Sequence, residues 1–89
     1  MKLIFDAIKD KANVEKHGVS LADAALLEWG TLLTRPDTRR DYGETRSIGY
    51  AFIGTRLYCV IFTDRNTERR IISLRKANQR EAKHYADNY

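Results

Sequence analysis

The sequence has very few of the residues on which disulfides, metal centres and linkers depend. Its single cysteine, Cys59, excludes an internal disulfide, and its position in an apolar stretch is typical of a small buried side chain. Two histidines and one cysteine without ligand spacing disfavour a metal site, so no metal or other cofactor is expected. With one proline and no Gly- or Ser-rich tract there is no linker, and the 89 residues predict one domain, 1–89.

Long hydrophobic runs are also absent. No run approaches the roughly 18–20 apolar residues that a membrane-spanning helix needs. The N-terminus has no signal-peptide pattern, so we expect a cytoplasmic protein without a membrane partner. There is no Gly-rich phosphate loop and no nucleophile elbow. So short a chain buries little surface beyond what its own folding requires, so it is not expected to enclose a deep cavity. This favours chemistry on an open face.

Positive charge is what the sequence has in excess. Sixteen Lys and Arg against 12 Asp and Glu give a net charge of +4 and a pI of about 9.4. Residues 65–83 hold seven positive and two negative side chains, a surplus larger than that of the whole chain. Such a segment is expected to meet a polyanion. We expect general attraction to RNA phosphates, or contacts with an acidic partner, from Arg65, Arg69, Arg70, Lys76 and Arg80.

The residue pattern predicts an α+β domain in the order β-α-α-β-β-β-α, with the helices on one side of an antiparallel meander sheet. A short strand over residues 2–5 precedes a helix from about residue 7 to 17, which Asp6 can cap and Gly18 can end. Ser20 has the spacing of a helix cap three residues before Asp23, which predicts a second helix.

The second half of the chain predicts three strands and a final helix. The middle strand is apolar on both faces and should lie at the centre of the sheet. Asn78 and Glu81 have capping-box spacing and open a helix to about residue 88. Residues 31–44 are the least regular stretch, with a candidate short strand at 32–33 and turn chemistry at 35–37 and 41–43. The predicted strands are 46–52, 57–63 and 68–75.

Three polar residues of the first predicted helix, Lys9, Asn13 and His17, are spaced by four and share one stripe. An amine, an amide and an imidazole can position a phosphate and move a proton, although any solvated helix face has a similar composition. His17 stands at the helix C-terminus, where the macrodipole favours its cationic form. That form suits a general acid near neutral pH.

The strands offer a second group of polar candidates. RNA cleavage through the 2′-hydroxyl needs a base, an acid and cations near the phosphorane, and the planar fork of Arg binds phosphate oxygens in pairs. Glu44 and Arg46 should point the same way, and a surface ion pair is the structural alternative. Alternation places Arg75 on one face with Ile71 and Ser73.

The sequence from about Phe5 to Tyr85 resembles the BrnT family of bacterial toxins, which are the toxin halves of type II toxin–antitoxin pairs. The resemblance implies a fold similar to RelE-like ribonucleases and metal-independent cleavage of ribosome-bound RNA that arrests translation. It is carried by Asp6-x-x-Lys9-x-x-x-Asn13-x-x-Lys16-His17-Gly18-Val19-Ser20, by Glu44-x-Arg46, by Val60-Ile61-Phe62-Thr63, by Arg70-Ile71-Ile72-Ser73-x-Arg75-Lys76-Ala77, and by Glu81 and Tyr85.

The resemblance also implies a partner and a catalytic site. The partner is a BrnA-like antitoxin, a DNA-binding ribbon-helix-helix protein that would cover the active face and repress the shared operon, so operator DNA is met only through it. The implied site comprises Lys9, His17, Glu44, Arg46 and Arg75. The two arginines would stabilise phosphate charge, Glu44 or Lys9 would help to deprotonate the 2′-hydroxyl, and His17 would be a candidate acid; the sequence does not assign acid and base.

Two departures from the family pattern and two rival functions remain. Phe5 stands where the family usually has Trp, and Ala51 where it often has Gly. One rival is a basic module that occupies RNA or the ribosome without cutting, which would not need Glu44 or His17. The other is a degenerate toxin retained as a corepressor with its antitoxin.

Overall fold

The computed structural model describes residues 1–89 and contains five strands and two α-helices. The strands lie side by side in the order β1-β5-β4-β3-β2, with α1 before the second strand and α2 at the C-terminal end. No helix has the length and apolar character needed to cross a bilayer. The elements are β1 (Lys2–Ile4), α1 (Ala7–His17), β2 (Leu33–Pro36), β3 (Ser47–Ile53), β4 (Arg56–Arg65), β5 (Glu68–Lys76) and α2 (Gln79–Asn88).

The α+β class and the central position of β4 are confirmed, but the sheet is mixed. Strands β2 to β5 form an antiparallel meander, whereas β1 pairs in parallel with residues 68–70 of β5. Because β1 is so short, the second half of β5 has no strand on that side. This free edge is where α1 lies against the sheet.

The ends of α1 are set by local hydrogen bonds, as predicted. The Asp6 carboxylate accepts from the backbone N–H groups of Ile8 and Lys9, at 2.7 and 3.1 Å. Gly18 follows the helix with φ +71°, a left-handed conformation in which a Cβ is disfavoured, and its N–H donates to the Val14 carbonyl. The predicted bounds of 7 and 17 are therefore confirmed.

The segment after Ser20 is a 3₁₀ helix, Leu21–Leu26, rather than the predicted α-helix. Its buried side chains, Leu21 and Ala24, and the buried Leu27 that follows its end, recur every third residue, which matches the three residues per turn of a 3₁₀ helix. Ser20 caps this helix as predicted, by accepting from the N–H of Ala22. A second, shorter 3₁₀ helix, Trp29–Thr31, leads into β2.

The prediction that all helices lie on one side of the sheet is wrong. Alternate residues of the sheet enter two separate apolar clusters: Ala51 and Val60 pack with the first 3₁₀ helix, while Tyr50 and Cys59 share the other cluster with Tyr85 of α2. The physical reason is that β4 is apolar on both faces, and each face must be removed from water.

A β-bulge in β5 changes which side chains share a face. Ile61 of β4 pairs with Ser73 but the next residue, Phe62, pairs with Ile71, so Ile72 is an extra residue. Simple alternation placed Ile71 with Ser73 and Arg75. The bulge instead sends Ile71 into the core of the opposite face and leaves Ser73 and Arg75 together.

The predicted turn at residues 35–37 is also wrong, because Arg35 and Pro36 are the last residues of β2. This strand is at the edge of the sheet, where the missing N–H of a proline costs no ladder hydrogen bond. The pairing brings Arg35 opposite Ile48 of β3.

Candidate functional site

The sheet face opposite the first 3₁₀ helix is covered by α2 around Tyr50 and Phe52. We call the remainder of that face the open face. Register and alternation place on it the partly exposed Ile61, Thr63 and Ser73, together with the arginines at positions 46, 70 and 75. It is therefore a polar, basic surface with little apolar content, and it contains three of the predicted cations.

Arg75 is held in one orientation by Glu81, the third residue of α2. Its Nη1 and Nη2 donate to the two carboxylate oxygens, Oε1 and Oε2, at 2.8 and 2.9 Å. Glu81 also accepts from the Tyr50 hydroxyl and from the Asn78 N–H, which completes the predicted capping box. The Arg75 side chain nevertheless remains 34% exposed, so a side chain held in one orientation is accessible from the open face.

The charge of Arg75 controls the ionisation of Glu81. Hydrogen bonding to the guanidinium lowers the pKa of Glu81 from 4.5 to about 2, burial opposes this, and the Asn78 N–H adds to the lowering. The pKa of Arg75 is raised by the same pair. Sequence reasoning identified each residue but missed their contact, because the two lie on different elements and meet only in the fold.

Replacing Glu81 with glutamine is expected to remove part of the pH dependence of stability. A carboxyl whose folded pKa is depressed stabilises the fold above its unfolded pKa and loses that contribution as pH falls through the folded value. The free energy difference between wild type and Glu81→Gln should therefore shrink between pH 4.5 and pH 2. Urea unfolding at a series of pH values measures it, and a constant difference across this range would show that the ion pair does not contribute.

A shallow groove of about 270 Å³ separates α1 from the free edge of β5. Lys9 and His17 line it from the helix, and Ile72 and Ser73 line it from the strand. Since Ser73 also lies on the open face, the groove and that face are continuous. Two of the predicted α1 residues therefore lie next to the strand that carries Arg75.

The protonation of His17 differs from the sequence-based expectation. Burial is the largest cause that lowers its pKa below 6.5, and the charges of Lys16 and Arg75 lower it further. Desolvation and the two neighbouring cations disfavour the imidazolium, which is the form that the macrodipole was expected to favour. The neutral imidazole is thus the main form at neutral pH, which suits a proton acceptor better than an acid.

Asn13 is structural and its amide is not free for a phosphate. Its Nδ2 donates to the carbonyl oxygens of Val19 and Leu74, both at 2.8 Å, and its Oδ1 accepts from the Leu74 N–H. The backbone of Leu74 faces the free edge of β5, so the side-chain amide takes the place of a missing strand. Of the predicted stripe, only Lys9 and His17 remain available.

Glu44 and Arg46 form a part-buried ion pair, with Nε 3.1 Å from Oε2. The guanidinium also lies over the ring of Tyr42, 4.0 Å from the centroid, which orients it further. Glu44 reaches a small cavity of about 60 Å³ that Arg65 and Arg70 also line. The pair predicted from spacing is therefore present, with two of the predicted RNA-binding arginines beside it.

The other predicted RNA-binding residues divide into two groups. Lys76 and Arg80 are exposed and form no ion pair. Arg69 is engaged elsewhere: it donates to both oxygens of Asp64 and lies over the rings of Trp29 and Phe62, on the opposite side of the sheet. The bulge and the strand alternation explain why neighbours in sequence separate in this way.

Two further findings concern the chemistry of the site and the family of the chain. No three His, Cys, Asp or Glu side chains gather as a metal site would require. A family model described as a ribonuclease toxin, BrnT, of type II toxin–antitoxin systems matches residues 5–81. The chain belongs to this family. None of the curated proteins matches the chain. Membership of a type II system implies a protein antitoxin as partner, and the match includes every residue of the predicted catalytic set.

The structure also places the two departures from the BrnT pattern. Ala51 is fully buried in the cluster beneath the first 3₁₀ helix, so its methyl group contributes to core packing. Phe5 is 41% exposed between β1 and α1. A substitution at Ala51 therefore affects stability first, whereas the ring of Phe5 is accessible at the surface.

Proposed function

We propose that the chain is an endoribonuclease that cleaves RNA through the ribose 2′-hydroxyl without a metal ion. The observation that carries this proposal is Arg75, whose guanidinium is fixed by two hydrogen bonds to Glu81 and whose side chain stays one-third exposed beside Ser73. A preorganised donor of this kind can meet the charge that develops on a phosphorane. Arg46, oriented by Glu44 and Tyr42, is the second cation of the same face.

In the proposed reaction the 2′-oxygen attacks phosphorus and the bond to the 5′-oxygen breaks. Neutral His17 accepts the proton of the 2′-hydroxyl, and the leaving 5′-oxygen receives a proton from the ammonium group of Lys9 or from water. The products are a 2′,3′-cyclic phosphate and a 5′-hydroxyl. Glu44 acts as a positioning residue for Arg46, in the way that Glu81 positions Arg75, rather than as the base.

The pH dependence of cleavage tests the role of His17. As pH rises through its lowered pKa, below 6.5, the imidazole loses its proton, so a rate that needs the neutral form should rise and then level off. His17→Gln should lose that limb and about 10²-fold or more in rate. The measurement uses purified protein and labelled RNA with a chelator present. A rate that falls as pH rises over the same range would instead assign His17 as the acid.

In the cell, we propose that the substrate is RNA on translating ribosomes, that cleavage arrests translation, and that a BrnA-like ribbon-helix-helix protein covers the open face. The excess of positive charge supports contact with both an RNA and an acidic partner. Induced expression without an antitoxin, followed by primer extension, should give arrested growth and new 5′ ends. Arrest with intact RNA would favour a non-cleaving module, and no phenotype would favour a corepressor.

A further inference from the structure

We propose that the cavity between α2 and β2 is a second nucleotide-binding subsite, which holds a phosphate and a base of the RNA strand next to the reacting phosphodiester. This inference rests on the proposed function. The cavity measures about 370 Å³ and has an adjoining lobe of about 270 Å³, with Arg35, Tyr50 and His84 shared by the two. None of these three residues belongs to the catalytic set described above.

Two guanidinium groups in this cavity have no carboxylate partner. The ion pairs of the chain join Arg39, Arg46, Arg69 and Arg75 to Asp37, Glu44, Asp64 and Glu81. Arg35 and Arg80 take part in none of them, although both line the same concavity. The one carboxylate there, Glu81, already bonds Arg75, Tyr50 and Asn78. A net positive cavity with two guanidinium groups that have no carboxylate partner is an arrangement suited to binding a phosphate.

The adjoining lobe has the chemistry of a nucleobase site. Leu33 and the ring of Tyr50 supply an apolar wall, while Thr34, His84 and Asn88 supply polar groups that can meet the edge of a base. The Asn88 amide donates to the His84 carbonyl at 2.8 Å and lies 3.2 Å from Nδ1 of that ring. The other ring nitrogen, Nε2, is therefore left for a ligand.

The cavity lies next to the open face, so one RNA strand could occupy the subsite and the site around Arg75 at the same time. Tyr50 lies in its wall and donates to Glu81 Oε2, and the same oxygen accepts from Arg75 Nη2 at 2.9 Å. One hydrogen-bonded chain thus joins the subsite to the arginine of the open face. The concavity combines an apolar wall, polar groups for a base edge and guanidinium groups for a phosphate. This combination favours a nucleotide as the ligand, because an acidic peptide would need only the cations.

The test is the affinity of a short 2′-O-methyl RNA, which binds but cannot be cleaved. Arg35→Gln and Arg80→Gln should each weaken binding about tenfold, and each should reduce the salt dependence by about 0.7 in log Kd against log salt, the value for one phosphate contact on a single strand. Lys83→Gln is the matched control, since Lys83 is an exposed cation of α2 outside the cavity. It should bind within about twofold of wild type.

Three outcomes would overturn the subsite. Unchanged affinity in both arginine variants removes it, and an equal loss in Lys83→Gln reduces the effect to general charge. Displacement of the RNA by tetraglutamate at lower concentration than by a mononucleotide would make the cavity a protein-docking site. Cleavage of an ordinary RNA is measured in parallel. If the RNA is cut but Arg35→Gln has no effect on binding, the nuclease proposal stands and the subsite is rejected. If binding depends on Arg35 but no RNA is cut, the subsite stands and the nuclease proposal is rejected. Thermal melting checks that each variant is folded.

Discussion

Arg75→Lys is expected to reduce RNA cleavage by about 10²-fold or more, with little change in stability. Lysine keeps the positive charge and can bond Glu81, but it lacks the planar fork that presents donors to two phosphate oxygens at once. Loss of one preorganised donor of a transition state typically costs about 10²–10³ in rate. Single-turnover cleavage of a labelled RNA measures the rate, and thermal melting should show a shift of only a few degrees, roughly that of a 1 kcal/mol change.

Arg69→Lys is the matched control for that result. Arg69 lies on the same strand and makes the same double contact with a carboxylate, that of Asp64, but on the other side of the sheet. Cleavage by this variant should stay within about twofold of wild type, because the guanidinium lies over Trp29 and Phe62 on the side of the sheet away from the open face. Equal losses in the two variants, or full activity in Arg75→Lys, would remove Arg75 from the site.

Asn13→Ala is expected to destabilise the fold by about 3 kcal/mol or more. The change leaves three buried backbone groups unpaired, the carbonyls of Val19 and Leu74 and the N–H of Leu74, at about 1–3 kcal/mol each. In a domain of this size the melting temperature should fall by roughly 12 °C or more. Asn13→Asp, which keeps the acceptor but has no amide donor, should lose a comparable amount, and urea unfolding measures both.

Lys9→Ala tests whether Lys9 acts in cleavage without the structural role that Asn13 has on the same face of α1. Lys9 is exposed, so its removal should change stability by no more than about 0.5 kcal/mol, while cleavage should fall. If Asn13→Ala melts like wild type, or if Lys9→Ala melts as low as Asn13→Ala, the assignment of Asn13 as the link between α1 and β5 is wrong.

Helix ends and the central strand could be predicted because short-range chemistry decides them. Asp6, Gly18, Asn78 and Glu81 act on backbone groups within four residues of themselves, and a capping signal contains all of that information. Likewise, β4 is apolar on both faces, and this pattern alone predicts that both faces are buried. The bulge at Ile72 has no comparable local signal, since it depends on how β5 meets β4.

The candidate site shows the same division between local and tertiary effects. The i, i+2 spacing of Glu44 and Arg46 predicts a contact between them, and the structure has this contact although both residues lie before β3. Arg35 was not predicted as a site residue, because the sequence Arg-Pro-Asp is typical of a turn. In the structure Arg35 and Pro36 are instead extended, since they pair with β3. The lowered pKa of His17 could not be predicted, because a sequence shows the helix end but neither the burial nor the nearby Arg75.

The ends of the RNA fragments provide the most direct test of metal-independent cleavage by the open face. Purified wild-type protein, incubated with a defined RNA and excess EDTA, should release fragments with a 5′-hydroxyl and a 2′,3′-cyclic phosphate. A single 2′-deoxy substitution at the cleaved nucleotide should block the cut. Fragments with a 5′-phosphate and a 3′-hydroxyl, or cleavage that requires added divalent cations, would contradict the proposed mechanism.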